Sequence, residues 1–248
     1  MKALFRLLCL VLLAGLSLQL YFVGRIALMA TINPESTAFE RSAAYSVTTR
    51  TGGLKWRQEW VPYSNISDNL KRAVIASEDA SFTDHEGLDM EALEKAWDKN
   101  AKAEQKVQQQ PGKSAVNKPD TPLKPAKIVG GSTITQQLAK NLFLSGERTL
   151  LRKGQELVLT LLLEKLLDKE RILEIYLNSV EWGEGVFGAE AAAQHYYRKS
   201  ADKLSAFEAA RLAVMLPRPK YFETRPNSGY LSSRASTIAA RMGGVELP

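Results

Sequence analysis

The sequence predicts a mainly helical protein: an N-terminal membrane-spanning helix, then a helical domain with one small β element. Three observations support this prediction. Residues 7–24 are almost wholly apolar, which is the pattern of a membrane helix. Downstream, apolar residues recur at helical spacing, and helix-capping residues stand before several of these stretches. Runs with the alternation of a β-strand are few and short.

Length and composition limit the classes of protein to which the chain can belong. The 248 residues suffice for one sizeable domain and an appendage, and 45% hydrophobic and 24% charged residues exclude wholesale disorder. The net charge of +6 and the pI near 9.3 indicate an acidic partner, which could be anionic lipid, a phosphorylated substrate or nucleic acid. Cys9 is the only cysteine, so no intrachain disulfide can form, and two histidines are too few for a His-rich metal site.

Residues 1–30 have the pattern of a cytoplasmic tip and a membrane anchor. The apolar run reaches the lower end of the length that spans a bilayer, and residues 26–30 can extend it. Lys2 and Arg6 favour a cytoplasmic N-terminus, so that everything after about Thr31 lies outside the cytoplasm. A cleaved signal peptide is the alternative. It fits less well because Arg25 interrupts the region and Leu28-Met-Ala30 is a poor cleavage site.

Residues 31–54 precede the main domain. They contain turn-forming residues and short β-like runs, such as Tyr45-Ser-Val-Thr-Thr49 ahead of Gly52 and Gly53. This pattern predicts a stalk or an edge hairpin. Residues 55–248 are then predicted to form the main domain.

The first helix of that domain carries the first candidate for catalysis. Asp68 is a suitable N-cap, and Leu70, Val74 and Glu78 fall at i, i+4 and i+8 on one helix face. A carboxylate at the end of an apolar stripe, near a helix C-terminus, is disfavoured as an anion by burial and by the helix dipole. Both effects raise a pKa, which prepares Glu78 for general acid–base catalysis. On this stretch alone, an ion-paired glutamate that merely ends the helix remains an equal alternative.

A second amphipathic helix is predicted over residues 88–97. Residues 98–127 then contain the run Gln108-Gln-Gln110, four prolines, seven lysines and few large apolar residues. Such a segment cannot bury a core, so we predict a mobile basic loop inserted into the domain. Its simplest interpretation is a solvated insertion without a chemical role.

The stretch Gly130-Gly-Ser-Thr-Ile-Thr-Gln-Gln-Leu-Ala-Lys-Asn141 predicts a helix with two different faces. Two glycines precede Ser132, a plausible N-cap. The expected buried face consists of Ile134, Leu138 and Leu142. Ser132, Gln136 and Lys140 fall at i, i+4 and i+8 on another face. A glycine turn that leads into a helix N-terminus with a polar stripe is a reasonable anion or sugar site, although most polar stripes simply face water.

Four charged residues follow closely: Arg148, Arg152, Lys153 and Glu156. Arg152 and Glu156 are i, i+4 neighbours, so a stabilising surface pair is the simplest interpretation. Residues 157–163 are apolar nearly all round, however, which predicts a helix buried in the centre of the domain. Its apolar part is too short to span a membrane. A carboxylate beside cations, where a central helix begins, is a second candidate site.

The rest of the chain predicts further helices. One begins at Asp168 and ends near Asn178, a glycine-rich turn occupies residues 182–188, and residues 189–197 resume a helix. Ser205-Ala-Phe-Glu208 is a capping box that opens another helix, which Pro217 ends. The last thirty residues are polar and then weakly helical.

Together these stretches closely resemble the monofunctional biosynthetic peptidoglycan glycosyltransferases (glycosyltransferase family 51). The same module forms the polymerising half of class A penicillin-binding proteins. The resemblance runs from about residue 60 to residue 221, and five motifs occur in the family's order. They are Glu78-Asp-Ala-Ser-Phe-Thr-Asp-His-Glu-Gly87, the stretch 130–141 quoted above, Arg152-Lys-Gly-Gln-Glu156, Arg171-Ile-Leu-Glu-Ile-Tyr-Leu-Asn178 with the turn 183–188, and Leu204-Ser-Ala-Phe-Glu-Ala-Ala-Arg-Leu-Ala213 through Pro217. Five long motifs in order are far more specific than any single short pattern.

The resemblance implies a lysozyme-like fold with a helical main lobe and a small lobe near the bilayer. It also implies a reaction, since family members polymerise lipid II outside the cytoplasmic membrane into β-1,4-linked glycan and release undecaprenyl pyrophosphate. Glu78 would be the general base that deprotonates the 4-hydroxyl of the acceptor sugar, which then attacks the donor's anomeric carbon with inversion. Glu156 would be the second essential carboxylate, which organises cations or a divalent metal such as Mg²⁺ or Mn²⁺.

The resemblance further implies the residues that contact the substrate. Lys140, Arg148, Arg152 and Lys153 would hold the pyrophosphate, a role that suits fixed cations. The other matching positions, which contact substrate or shape the site, are Asp79, Phe82, Ser132, Gln136, Gln137 and Asn178. The expected partners are lipid II, the growing glycan strand, the cytoplasmic (inner) membrane and other cell-wall synthesis or division proteins, with the catalytic domain in the periplasm. That location argues against a nucleic-acid partner.

Two departures and two alternatives accompany the resemblance. The insertion at 98–127 is longer than family members usually have, and Ala80 stands where many members carry a basic residue. A lysozyme-like hydrolase also uses carboxylates in a helical fold, but the cationic run and the anchor favour a lipid-pyrophosphate donor over a neutral polymer. A membrane-anchored scaffold with an inactive site is disfavoured because Glu78, Glu156 and the cations are all present.

Overall fold

The structure is a computed structural model, and it describes residues 2–51, 56–108, 131–144, 147 and 149–248. Its helices are α1 (Lys2–Leu28), α2 (Ala38–Thr51), α3 (Asp68–Glu78), α4 (Met90–Gln108), α5 (Ile134–Phe143), α6 (Leu150–Leu166), α7 (Lys169–Ser179), α8 (Ala189–Tyr197), α9 (Ala206–Met215), α10 (Pro219–Glu223) and α11 (Gly229–Arg241). Short 3-10 helices cover Tyr63–Asn65, Ala201–Lys203 and Met242–Gly244, and the strands are β1 (Arg57–Gln58), β2 (Glu181–Gly183) and β3 (Val186–Phe187). The predicted class, mainly helical with one small β element, is confirmed.

The small sheet joins two distant parts of the chain. Its strand order is β1-β3-β2, with β1 parallel to β3 and β2 antiparallel to β3. Arg57 of β1 lies opposite Val186 of β3. The rings of Trp56 and Phe187 stack at 4.4 Å between centroids. The glycine-rich turn predicted at residues 182–188 is therefore the β2–β3 hairpin.

The hydrophobic core lies between the helices of the main domain. Helix α3 packs against α9 and α11, and α5 packs against α6 and α7. The largest fully buried side chains include Trp182, Tyr176 and Phe82. Because each helix buries one apolar face in this core, tertiary packing stabilises helices that would be marginal alone.

Helix α1 is the one helix in the described chain that is long and apolar enough to cross a membrane. Its most apolar 18 residues have a mean hydropathy of 2.2. Most of its side chains are exposed, but Phe22 and Ile26 are buried, as is Met29 just beyond its end. The ring of Phe22 meets that of Phe143 of α5 edge-on at 5.3 Å. The last third of the anchor is therefore part of the domain core.

Residues 38–51 form helix α2, so of the two alternatives predicted for residues 31–54, a stalk or an edge hairpin, the hairpin is excluded over these residues; residues 52–54 lie outside the described residues. The Thr37 hydroxyl accepts from the N–H of Glu40 at 3.0 Å, and the Glu40 carboxylate accepts from the N–H of Thr37 at 2.6 Å. Glu40 is fully buried and also accepts from Gln58 Nε2 at 2.8 Å. This capping box, with the tertiary contact, outweighs the modest helix penalty of the β-branched residues at 47–49.

Helix α4 extends well into the segment predicted as a mobile loop. It runs over Met90–Gln108, so residues 98–108 are helical, which corrects that part of the prediction. The Lys-, Ala- and Gln-rich composition of residues 98–108 explains the helix, because these residues have high helix propensity. Residues 109–127 lie outside the described residues.

Two predicted N-caps are shifted by one residue. Helix α3 is capped by Ser67 rather than Asp68, because the Ser67 hydroxyl accepts from the N–H of Leu70 at 3.2 Å. Helix α5 is capped by Thr133 rather than Ser132. Neighbouring residues with similar capping ability cannot be separated by sequence alone. The caps predicted at Asp168 and in the box at 205–208 are confirmed.

The prediction that α6 lies in the centre of the domain is partly wrong. Leu159 and Leu163 are fully buried, as expected. The opposite side of the helix carries an exposed apolar strip, which consists of Leu150, Leu151, Leu157, Val158 and Leu161. Helix α6 therefore covers the core with one face and presents an apolar face outward, as expected for a helix beside a membrane.

Candidate active site

Glu78 is the last residue of α3, at the edge of a cavity. Leu70 and Val74, which precede it on the same face, are fully buried, so the predicted stripe is confirmed. Glu78 itself is half-buried and lines a cavity of about 460 Å³. The rest of the wall comes from the end of α3 with residues 79–81, from residue 89 and α4, and from residues 131–133, including the exposed Ser132.

A partly buried hydrogen-bond network holds the carboxylate of Glu78. Nε2 of Gln137 donates to Oε2 of Glu78 at 3.0 Å. The hydroxyl of Tyr176, a core residue, donates to Oε1 of Gln137 at 3.0 Å. Because Tyr176 occupies the amide oxygen, the amide NH₂ group of Gln137 faces Glu78. The neutral amide thus orients the carboxylate without adding a positive charge.

The surroundings of Glu78 raise its pKa above the ordinary value. Burial is the largest cause, and the hydrogen bonds from Gln137 and Ser77 oppose it. The negative charge of Asp79 raises the pKa further. A carboxylate in this condition is a better proton acceptor than an exposed glutamate, which is what general-base catalysis requires.

Asp79 fastens α3 to the start of α5. Its Oδ2 accepts from the backbone N–H of Ile134 at 2.9 Å, and its Oδ1 lies 2.8 Å from Nε2 of His85. Nδ1 of His85 accepts from the N–H of Gly87 at 3.1 Å, so Nε2 carries the proton and donates to Asp79. Both carboxylate oxygens are bound within the protein, so Asp79 positions the start of α5 at the wall of the cavity, and its contact with substrate stays a prediction.

Three other predicted substrate contacts are buried and hold the fold together. Phe82 is fully buried beneath the Lys169 ammonium, which lies 4.6 Å from its ring centre. Oε1 of Gln136 accepts from the N–H of Thr133 at 3.1 Å and completes the capping box of α5. Asn178 bonds to both backbone groups of Val61 at 2.9 Å. These residues shape the site without facing it.

Helix α4 contributes cations that the sequence analysis did not assign. Lys95 and Lys99 line the cavity beside Glu78, and Lys95 forms an ion pair with Glu91. A Cβ at Gly131 would lie 3.2 Å from Cβ of Ala96, so glycine allows α4 to approach the start of α5 closely. A spacing of four residues indicates that two lysines share one helix face, but Lys99 lies within the segment predicted as a loop.

Arg152, Lys153 and Glu156 form a compact cluster on α6. Nη1 of Arg152 donates to Oε2 of Glu156 at 2.7 Å, and the Lys153 ammonium donates to Oε1. Burial alone would raise the pKa of Glu156, but the hydrogen bonds and charges of Lys153 and Arg152 prevail and hold it below the ordinary value. Glu156 is therefore an ionised, buried anchor for two cations.

Lys140 of α5 belongs to the same electrostatic group. Although the residue is exposed overall, desolvation lowers the pKa of its ammonium group. The charge of Glu156 opposes this shift, and those of Arg152 and Lys153 add to it. Lys140, Arg152 and Lys153 with Glu156 make three cations and one carboxylate, a net charge of +2. Arg148, the fourth predicted cation, lies outside the described residues.

Helix α5 connects the two halves of the site. Gln137 contacts Glu78, and Lys140, one turn further along and roughly 4.5 Å along the axis, belongs to the cationic group. Within the described residues, neither Lys140 nor Glu156 lines the cavity beside Glu78. The two halves are thus neighbours along one helix, and they do not form the walls of one closed cavity.

In the part of the chain that the structure describes, Asp79, His85 and Asp89 form a group that could hold a metal ion. Their candidate ligand atoms lie within 4.8 Å of one another. All three are already engaged, since His85 donates to Asp79 and Oδ1 of Asp89 accepts from the N–H of Ala92 at 2.7 Å. The oxygens of Glu156 are taken by its two cations. The divalent metal implied by the resemblance therefore finds no open set of ligands among these residues.

Comparisons with known proteins agree on one family. A family model described as Transglycosylase matches residues 46–118 and 120–243. The chain is 54% identical over 235 residues to a biosynthetic peptidoglycan transglycosylase of Burkholderia thailandensis, an alignment that covers 95% of this chain and 84% of the relative. Proteins of the same name from Herminiimonas arsenicoxydans (51% over 247 residues, 100% and 98% covered) and Burkholderia pseudomallei (52% over 235 residues, 95% and 84% covered) are also similar. The matched segments include both halves of the site.

Proposed function

The chain belongs to the biosynthetic peptidoglycan transglycosylases, and we propose that it polymerises lipid II into β-1,4-linked glycan strands. The observation that carries this proposal is that helix α5 links Glu78 to the cationic group: its Gln137 contacts Glu78, and its Lys140 belongs to the cationic group. A general base at the acceptor hydroxyl and separate cations at the departing diphosphate are the two elements that this transfer requires.

In the proposed reaction Glu78 acts as the general base. Its carboxylate accepts the proton of the acceptor 4-hydroxyl while that oxygen attacks the anomeric carbon of the donor. The bond from this carbon to the pyrophosphate oxygen breaks, the bonding electrons leave with the pyrophosphate, and the configuration at the carbon inverts. Gln137 keeps the carboxylate oriented, and the raised pKa of Glu78 favours acceptance of the proton.

The cationic group is assigned to the leaving pyrophosphate. Arg152 and Lys153 are held side by side by Glu156, and Lys140 approaches them from α5. The net positive charge complements the negative charge that develops on the diphosphate as its bond breaks. Glu156 has a positioning role here, because it fixes two cations that would otherwise repel each other.

A pair of amide hydrogen bonds supports a donor attached to a lipid. Gln19 Nε2 donates to Gln155 Oε1 at 3.0 Å, and Gln155 Nε2 donates to Gln19 Oε1 at 3.3 Å. Gln155 directly precedes Glu156, and Gln19 lies nine residues before the end of α1, roughly 13 Å along its axis. The cationic group thus lies beside the membrane helix, close to where a lipid-linked diphosphate would reside.

The same arrangement gives the proposed location. We assign α1 to the cytoplasmic (inner) membrane, with Lys2 and Arg6 on the cytoplasmic side and the catalytic domain in the periplasm. The apolar strip of α6 would then face the outer leaflet. Lipid II and the growing strand would enter the site from the bilayer surface.

The geometry argues against hydrolysis of glycan by the same groups. Hydrolases with paired carboxylates need an acid and a base or nucleophile about 5–9.5 Å apart, both available to the sugar. Glu156 is neutralised by Arg152 and Lys153, and both oxygens of Asp79 are bound within the protein. Neither residue is free to act as a second catalytic carboxylate beside Glu78.

Incubation of the full-length protein with labelled lipid II tests the proposal. We expect polymers long enough to resolve on a gel, which lysozyme then degrades because their linkages are β-1,4. A product that lysozyme does not degrade would contradict the linkage. Shortening of added glycan strands without consumption of lipid II would instead establish a hydrolase.

A further inference from the structure

A second cavity lies in the corner between the end of α1 and the start of α2. Its volume is about 330 Å³, and its wall includes Arg25, Arg41, Leu28, Ile32 and Glu35. These two arginines and one carboxylate give the wall a net charge of +1. The cavity therefore combines a positively charged part with an apolar part, which is the combination that an amphipathic anion requires.

The position of this cavity follows from the membrane helix. Arg25 lies in the last turn of α1, the helix that can span the bilayer. The end of such a helix lies at the level of the lipid head groups. Leu28 and Ile32 are 56% and 58% exposed, so apolar surface remains open beside the two arginines. The cavity thus faces the head-group region of one leaflet.

Both guanidinium groups retain unused donors. Arg25 Nη1 donates to the Tyr21 hydroxyl at 3.4 Å. Arg41 Nη1 donates to the carbonyl oxygen and the hydroxyl of Ser36 at 3.1 and 3.0 Å. Within the described part of the chain, neither arginine forms an ion pair with a carboxylate. The charge of Arg41 interacts with Glu40 without a direct ion pair. Guanidinium groups whose donors are not taken up by a carboxylate are well suited to phosphate, which they can bind in a bidentate manner.

The wall of the cavity is held in place by α7. Nε of Arg171 donates to the backbone oxygen of Met29 at 2.7 Å, and its Nη2 donates to Oδ1 of Asn33 at 2.8 Å. Arg171 is itself fixed by an ion pair with Glu174 at 3.0 Å. The α1–α2 connection is therefore ordered before any ligand arrives, and a preformed site loses less entropy on binding.

We propose that this cavity binds the phosphate of an anionic phospholipid of the surrounding membrane, such as phosphatidylglycerol. Arg25 and Arg41 contact the phosphate oxygens, while Leu28 and Ile32 lie against the glycerol and the first methylene groups. The net charge of +1 matches a head group of charge −1, whereas a zwitterionic head group brings a cation that the arginines repel. The bound lipid fixes the height of the catalytic domain at the bilayer. The proposal requires α1 to be in the membrane, but not a particular reaction.

Native mass spectrometry of the full-length protein in neutral detergent tests this site. Titration with phosphatidylglycerol and phosphatidylcholine should show one phosphatidylglycerol bound at least about tenfold more tightly, as expected for additional hydrogen bonds between charged groups. The double variant Arg25→Gln, Arg41→Gln should lose this preference. The matched control, Arg234→Gln on the exposed face of α11, should keep it. Inorganic phosphate should not displace the lipid, because it cannot use the apolar wall.

Each opposite result overturns the proposal. Equal binding of the two lipids by the wild type would exclude recognition of the head-group charge. Retention of the preference in the double variant, or its loss in Arg234→Gln, would show that the cavity is not the site. Full displacement by inorganic phosphate would identify a simple anion site instead. None of these measurements uses lipid II, so failure here is distinct from failure of the proposed polymerase activity.

Discussion

The ordinary pKa of a glutamate is 4.5, and the surroundings of Glu78 and Glu156 shift it in opposite directions. Burial raises the pKa of Glu78, and the hydrogen bond from the neutral amide of Gln137 lowers it again only in part. Glu156 is also buried, but two cations donate to it, and its pKa falls. Two carboxylates whose surroundings shift their pKa values apart can take different roles, which agrees with the proposal of Glu78 as the base and Glu156 as an anchor for cations.

Replacing Gln137 by leucine tests how the base is tuned. The substitution removes a hydrogen bond that lowers the pKa of Glu78, so this pKa should rise further. Because the reaction needs the deprotonated carboxylate, polymerisation should decline at a higher pH than in the wild type as the solution is acidified. A pH–rate profile measures this shift. Tyr176→Phe, which frees the Gln137 amide without removing it, should give a smaller shift in the same direction. An unchanged acid limb of the pH–rate profile in both variants would contradict the claim that Gln137 lowers the pKa of Glu78.

Replacing Arg152 by alanine tests the pyrophosphate assignment. The variant loses a charge-assisted donor, so KM for lipid II should rise by roughly 10- to 100-fold, in proportion to such a hydrogen bond. Lys165→Ala, which removes an exposed cation from the same helix, is the matched control and should leave KM unchanged. Circular dichroism should show the same helix content in both variants. An Arg152→Ala enzyme with normal KM would remove Arg152 from the site.

At the scale of elements, capping residues and apolar periodicity correctly predicted the helix ends that depend on local sequence. The helix that ends at Glu78, the cap at Asp168 and the box at Ser205 are all present, and the mainly helical, lysozyme-like class is confirmed. The predictions were wrong where contacts between residues far apart in the sequence determine the structure. Gln136 and Gln137 are adjacent and chemically identical, yet one caps α5 and the other holds Glu78. Which amide faces the carboxylate depends on the tertiary contact between the end of α3 and α5, which the local sequence does not encode.

The sequence of helix α2 contains a local signal for a helix. Its Thr-x-x-Glu capping box was present in the sequence, but the β-like run after it suggested strands. The outward apolar face of α6, in contrast, could not be predicted, because periodicity does not tell whether an all-round apolar helix lies in a core or beside a membrane.

The capping box of α2 gives a prediction of stability. Thr37→Ala removes the hydroxyl that accepts from the N–H of Glu40, so the free energy of unfolding should fall by about 1 kcal/mol. Thr48→Ala is the matched control, because its exposed hydroxyl, within the described residues, bonds only to a carbonyl of the same helix. Thermal unfolding of the two variants in detergent compares them. Equal unfolding temperatures would show that the box does not stabilise the fold.

At the scale of the whole molecule, the membrane helix is part of the catalytic domain. Phe22, Ile26 and Met29 belong to the same hydrophobic core as α3 and α5, and Gln19 is bonded to Gln155. The anchor therefore fixes the orientation of the domain as well as its location. An orientation set in this way places the cationic group of α6 beside α1.

Ile26→Ala tests this integration. Ile26 is fully buried, so its truncation should lower the free energy of unfolding of the domain by about 2–5 kcal/mol, the usual range for a buried isoleucine. Leu20→Ala, at a position 62% exposed on the same helix, should have almost no effect in detergent. Similar unfolding temperatures for both variants would mean that α1 is only a tether.

The most direct test of the account is the rate of glycan formation by Glu78→Gln, with lipid II binding measured on the same sample. Glutamine preserves the shape of the side chain and can still bond to Gln137, but it cannot accept a proton. We expect unchanged binding of lipid II, an unfolding temperature no lower than that of the wild type, and polymerisation slower by at least about 100-fold. Polymerisation at the wild-type rate by the folded, substrate-binding variant would contradict the assignment of Glu78 as the base.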